Sequence, residues 1–110
     1  MLKKNKRLTT AEFDRYFSKG RRYHSPNLTL VYTYTGNFHG SVVIGKKVYK
    51  KAVDRNKLRR QLYQIIYHWQ KSDNPKGVYI VLTKPTVRGF DFATLRLEAK
   101  KLLNSVAAKS

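Results

Sequence analysis

Lys46-Lys47-Val48-Tyr49-Lys50-Lys51-Ala52-Val53-Asp54-Arg55-Asn56-Lys57-Leu58-Arg59-Arg60 is the stretch on which the reading of this chain turns. It is dense in Lys and Arg, holds one Asn and one acid, and runs straight into an apolar stripe. Leu58, Leu62, Ile65, Ile66 and Trp69 recur at helical spacing, which predicts a helix over about Val53 to Gln70 with one buried face. Asn56, Arg59, Arg60, Tyr63 and Tyr67 then fall on its flanking and opposite faces. A rigid helix with cations on its open faces is suited to hold phosphates. The plainer reading of a charge run is a solvated face. Two features argue against it. Acids are almost absent, so pairs four residues apart on the helix do not explain the cations. Arg also outnumbers Lys within the helix, and its planar fork suits bidentate phosphate contact.

Working outward, Ser72-Asp73-Asn74-Pro75-Lys76-Gly77 is a cluster of chain breakers. Val78-Tyr79-Ile80-Val81-Leu82-Thr83 is nearly all apolar, as expected of a strand covered on both faces. Lys84-Pro85 ends it. A last helix is predicted from Asp91, its N-cap, with Phe92, Leu95, Ala99, Leu102 and Val106 on the buried side. Residues 105–110 read as a loose tail. Upstream, Leu28 to Tyr34 alternates and is rich in strand formers. Leu28, Leu30, Tyr32 and Tyr34 point one way, and Thr29, Val31 and Thr33 the other. Thr35-Gly36-Asn37 signals a turn, and Ser41-Val42-Val43-Ile44 is expected to pair back as a hairpin. Thr9 and Glu12 have capping-box spacing for a first helix that ends near Ser18, with Gly20 as its stop. Residues 1–8 form a basic arm. The predicted order is α-β-β-α-β-α: one α+β domain over residues 1–110, a sheet with packed helices and the Val78–Thr83 strand central.

Composition narrows the function. The chain has 110 residues, no Cys, and 24 Lys+Arg against 6 Asp+Glu, a net charge of +18. The absence of Cys excludes a disulfide scaffold, Cys-based zinc sites and thiol nucleophiles. Self-repulsion of this size opposes compaction unless a polyanion is near, and nucleic acid is the default partner. No stretch approaches the roughly 18 apolar residues of a membrane-spanning helix. The basic start lacks the apolar core of a signal peptide, so a cytoplasmic protein is expected. The acids are scattered, and Glu12, Asp54 and Asp91 are explained by helix starts. His24, His39 and His68 show no metal-ligand spacing. Gly45-Lys46-Lys47 lacks the upstream glycine of a phosphate loop. Catalysis by the protein's own side chains is not expected.

The cations gather in three places: Lys3–Arg7, Lys19–Arg22 and Lys46–Arg60. Phe13, Tyr16 and Phe17 share one face of the first helix, and Phe13 and Phe17 suit either a core or a binding surface. The strand face of Thr29, Val31 and Thr33 is small and polar enough to stay open. Cations beside aromatic rings are the composition of a single-stranded nucleic-acid site.

With these residues in view, the chain resembles the protein subunit of bacterial ribonuclease P. The resemblance rests on Lys46-Lys47-Val48, Ala52-Val53 and Arg55-Asn56-Lys57-Leu58-Arg59-Arg60. Leu8, Glu12-Phe13, Tyr16-Phe17, Gly20 and Val78 through Pro85 extend it over about residues 3–104. It implies a two-layer α/β sandwich like the second domain of ribosomal protein S5, with a left-handed β-α-β crossover where the general rule is right-handed. It also implies that the protein is the non-catalytic subunit of an endoribonuclease. A large RNA carries the Mg²⁺-dependent cleavage of the 5′ leader from precursor tRNA. The protein, a monomer in a 1:1 complex with that RNA, binds it and holds the single-stranded leader.

By position, the resemblance puts Phe13, Phe17, Thr29 and Val31 in the leader cleft. It puts Lys46, Lys47, Lys50, Lys51, Arg55, Asn56, Lys57, Arg59 and Arg60 on RNA. Mg²⁺ is bound mainly by the RNA, with Asn56 in support and no metal site made by the protein alone. The chain departs from the family pattern at Lys57 and Tyr63, where Arg is usual, and at His39 and Ser41. It adds a residue around Tyr49-Lys50-Lys51. Val31 stands near a position where an aromatic is common, and Tyr49, Tyr63 and Tyr67 could serve as compensating stacking groups. A structural RNA-binding protein of ribosomal type, with no processing role, is the competing reading. A DNA-compacting protein would prefer duplex, and a stand-alone metal nuclease would need clustered carboxylates.

Overall fold

The computed structural model describes residues 8–109. The expected basic arm therefore lies almost wholly outside the described residues. The elements are α1 (Thr10–Lys19), β1 (Arg21–His24), β2 (Leu28–Thr33), β3 (Phe38–Val43), α2 (Ala52–Asp73), β4 (Gly77–Thr83) and α3 (Phe92–Lys109), with a 3-10 turn at Pro85–Val87 before α3. The four strands form one sheet in the order β1-β2-β4-β3. β2 runs antiparallel to β1 and to β4, while β3 and β4 are parallel and joined through α2.

Two expectations about the strands are corrected. The sheet has a strand, β1, that the sequence reading left out. Its Arg-Arg-Tyr-His sequence lies at the sheet edge with three of four residues exposed, so no apolar alternation marks it. β2 and β3 do not form a hairpin. The apolar β4 takes the slot between them, where both of its faces are covered, and the short Tyr34–Asn37 connection passes over the start of β4. Gly77 lies beneath that connection with φ +111°. A Cβ there would stand 2.9 Å from the Thr33 carbonyl oxygen, so both backbone angle and space require glycine.

The main layers are the sheet and the α2–α3 pair. Leu28, Leu30, Tyr32, Val42, Tyr79 and Val81 of the sheet pack against Leu58, Leu62, Ile66 and Trp69 of α2 and Leu95, Leu103 and Val106 of α3. Trp69 Nε1 donates to Asn104 Oδ1 at 2.8 Å, which satisfies the buried indole and ties the two helices. Val106 is 1% exposed, so α3 continues as a packed helix through residues expected to form a loose tail. Asp91 accepts from the Thr94 backbone N–H at 2.8 Å, as its predicted capping role requires.

On the second face, α1 crosses β2. Thr9 and Glu12 form the predicted capping box. Gly20 ends α1, but with φ −67° it is not a left-handed stop. Its reason is space: a Cβ would stand 2.4 Å from Val31 Cγ1 and 2.9 Å from the Tyr16 carbonyl. A smaller cluster of Val31, Val78 and Ile80 lies under Leu8, Phe13, Tyr16 and Phe17.

Candidate nucleic-acid interface

The basic block is built on two buried anchors. Ile44 and Val48 are 7% and 2% exposed, and between them a turn closed by Val48 N–H to the Gly45 carbonyl holds Lys46 and Lys47 out in solvent. Lys50 and Lys51 are also exposed, and no side chain caps the start of α2. The α2 stripe of Leu58, Leu62, Ile65, Ile66 and Trp69 is buried as predicted, which fixes Asn56, Lys57 and Arg60 on the exposed side.

Three of the predicted contact residues, Arg55, Asn56 and Arg59, already have partners within the protein. Arg55 Nη1 donates to the carbonyls of Tyr49 at 2.8 Å and Lys50 at 2.7 Å, so its guanidinium closes the loop onto the helix. Arg59 Nη1 donates to Asn56 Oδ1 at 2.7 Å, which orients both side chains along one ridge. Tyr63 also does more than face solvent: its hydroxyl accepts from the Val42 N–H at 3.3 Å and satisfies a donor on the edge strand β3. Tyr49, Tyr63 and Tyr67 are all half-buried against the main core.

The opposite sheet face carries the aromatic part of the site. Phe13 and Phe17 are half-buried and stacked, with centroids 5.4 Å apart and planes at 20°. Arg22 lies over the Phe17 ring at 4.6 Å. The expected openness of the Thr29–Val31–Thr33 face is corrected: Val31 is 1% exposed, because α1 seals it. It supports the Phe13–Phe17 pair from below. Thr29 is 9% exposed and its hydroxyl is bonded to His24 Nδ1 at 3.1 Å. The part of this face that stays half-open is Thr33 of β2, His39, Ser41 and Val43 of β3 and Leu82 of β4. The register aligns Val43 with Leu82 and Leu82 with Thr29. Because β3 leads directly into the Lys46–Arg60 segment, the Val43–Leu82 end of this open strip and the basic helix start lie at the same end of the sheet.

Comparison with known proteins now decides the family. The sequence matches the family described as Ribonuclease P over residues 1–107. The chain belongs to the ribonuclease P protein family. A ribonuclease P protein component from a Nitratiruptor species is 33% identical over 98 residues, 89% of this chain and 88% of that protein. The one from Microcystis aeruginosa is 38% identical over 98 residues, 84% of this chain and 82% of that protein. Among solved structures, a Staphylococcus aureus RNase P protein mutant superposes with a TM-score of 0.84 at 20% identity, covering 94% of this chain and 89% of that one. The RNase P protein from Thermotoga maritima gives 0.73 at 22% identity, covering 94% and 96%. These structural likenesses show the shared α+β fold.

Membership in the ribonuclease P protein family makes this chain the protein component of a tRNA-processing endoribonuclease, which implies an RNA partner. No described helix is long and apolar enough to cross a membrane. The sequence reading missed His39, Ser41, Val43 and Leu82 as the open strip. Their signal was present only in the sheet order, since Val43 and Leu82 become neighbours when β4 enters beside β3. It also placed Arg22 in a cation cluster without linking it to Phe17.

Proposed function

We propose that this chain binds the catalytic RNA of ribonuclease P and the single-stranded 5′ leader of precursor tRNA, and so supports endonucleolytic 5′ maturation of tRNA. The observation that carries this reading is a juxtaposition. The exposed cations Lys46, Lys47, Lys57 and Arg60 stand at the end of the sheet where Val43 and Leu82 are half-open, on the same sheet face as the stacked Phe13–Phe17 pair. The cations neutralise RNA phosphates, and the aromatic wall with its half-open strip receives unpaired bases of the leader.

Arg55 acts mainly by holding the Tyr49–Lys50 loop in place, so that Lys46 to Lys51 are presented as a rigid surface. Among the described residues no three His, Asp or Glu side chains stand close enough to hold a metal ion. Mg²⁺ fits the phosphate oxygens of the RNA better than any protein group here, and when bound there it supplies the charge stabilisation for phosphodiester hydrolysis. Asn56 Oδ1 is engaged with Arg59, so Asn56 contributes by orienting that cation. The working assembly is one protein copy per RNA, in the cytoplasm.

The test is equilibrium binding of precursor tRNA, with and without its leader, to the reconstituted RNA–protein complex. Phe17→Ala should lose on the order of 1–3 kcal/mol of leader-dependent affinity, as for one base stack, and leave leaderless tRNA unaffected. If Phe17→Ala lowers the melting temperature while the leader preference persists, Phe17 is purely core and the cleft reading fails.

A further inference from the structure

The Lys19–Arg22 cluster extends beyond the site described above. Gly20 ends α1 and Arg21 opens β1, so Lys19 and Arg21 flank a corner where helix gives way to strand. β1 begins opposite Tyr32. Thr33 and Tyr34 therefore run on past it, and a notch of about 390 Å³ opens between this corner and Val106 at the end of α3. No acidic side chain lines it. Tyr34 is 66% exposed, and it also lines an adjoining hollow of about 460 Å³, so it stands between two open spaces.

Thr33, which lines the notch, has a buried hydroxyl with no hydrogen-bond partner among the described residues. Arg22, the next residue after Arg21, already lies over Phe17. The notch thus adjoins the α1 wall of the cleft around the corner of Gly20.

We infer that this notch is a second subsite for single-stranded RNA, in which Tyr34 stacks one base while Lys19 and Arg21 hold the flanking phosphates. An exposed ring beside two cations, in a hollow free of carboxylates, is the chemistry that binds a single strand irrespective of its sequence. The subsite continues the strand's track beyond the Phe13–Phe17 wall. The inference rests on the reading that this chain holds single-stranded RNA.

The experiment measures fluorescence anisotropy of labelled single-stranded RNAs, stepped from about four to sixteen nucleotides, against the full chain. Wild-type affinity should rise in two steps with length. Tyr34→Ala should remove about tenfold from the second step only, and Tyr34→Phe should restore it. Arg21→Ala and Lys19→Ala should each reduce the salt dependence of the longer strands by about 0.7 log units per log unit of salt. Melting temperatures should not change, because Tyr34, Lys19 and Arg21 are exposed. Phe17→Ala should weaken both steps. A second step that persists in the Tyr34 and cation variants overturns the notch. Absence of binding at every length overturns the single-strand reading itself, and the notch with it.

Discussion

Arg55 and Arg60 carry the same charge five residues apart, yet they have different work. Arg55 reaches back to two loop carbonyls, and Arg60 projects into solvent. Hydrogen bonds from a charged group contribute roughly 1.5–3 kcal/mol when well made, so Arg55→Ala should lower unfolding free energy by about 1–2 kcal/mol after allowance for its partial exposure. Arg60→Ala should leave stability within about 0.5 kcal/mol and instead reduce the salt dependence of RNA binding by about one unit. Urea unfolding and a salt titration of each variant separate the two roles.

Glu98 is a second residue with a specific task. Partial burial pushes its carboxyl up, but hydrogen bonds from the Ser25 hydroxyl and from the Asn27 side chain and backbone, with the Lys84 charge, outweigh burial and leave it below its ordinary value of 4.5. A carboxyl depressed in the folded state binds protons more readily when unfolded. Its stabilisation is therefore full above pH 4.5 and is lost as pH falls through the folded value. Glu98→Gln should be less stable than wild type at neutral pH and show a flatter decline below pH 4.5 when unfolding is followed against pH.

At the scale of elements, the docking of α1 on β2 depends on Gly20. Gly20→Ala drives a methyl into Val31 and the Tyr16 carbonyl, and overpacking of this kind costs about 1–3 kcal/mol. Thermal unfolding should show that loss, and leader binding should weaken with it, since α1 carries Phe13 and Phe17.

The helices were legible in the sequence because each has a local signature. Thr9–Glu12 and Asp91 mark starts, and the Leu58–Trp69 stripe marks a buried face. The strands were legible as segments but not as partners. Nothing local in Ser41–Ile44 says that it pairs in parallel with β4, because a turn signal at Thr35-Gly36-Asn37 serves a hairpin and a crossing connection alike. The site followed the same division. Charge and aromatic content located the basic block and α1, whereas the coverage of Val31 and the openness of Val43 and Leu82 depend on α1 packing over β2 and on β4 entering beside β3.

For the whole molecule, a net charge of +18 on 110 residues is a standing repulsion that a polyanion relieves. The fold places the cations of the β3–α2 segment at one end of the sheet and the stacked aromatic helix across its second face. In the proposed role, one protein surface grips structured RNA while another holds an unpaired strand. In the proposed function this protein enables an RNA to cleave precursor tRNA. The most direct measurement is multiple-turnover cleavage of precursor tRNA by a bacterial ribonuclease P RNA at low Mg²⁺, with and without the protein. Strong rescue by wild type that is lost when Lys46, Lys47, Arg59 and Arg60 are replaced by Ala is the predicted result. Tight binding of the RNA with no rescue, by RNAs of either structural type, would contradict the claim and leave a purely structural RNA-binding protein.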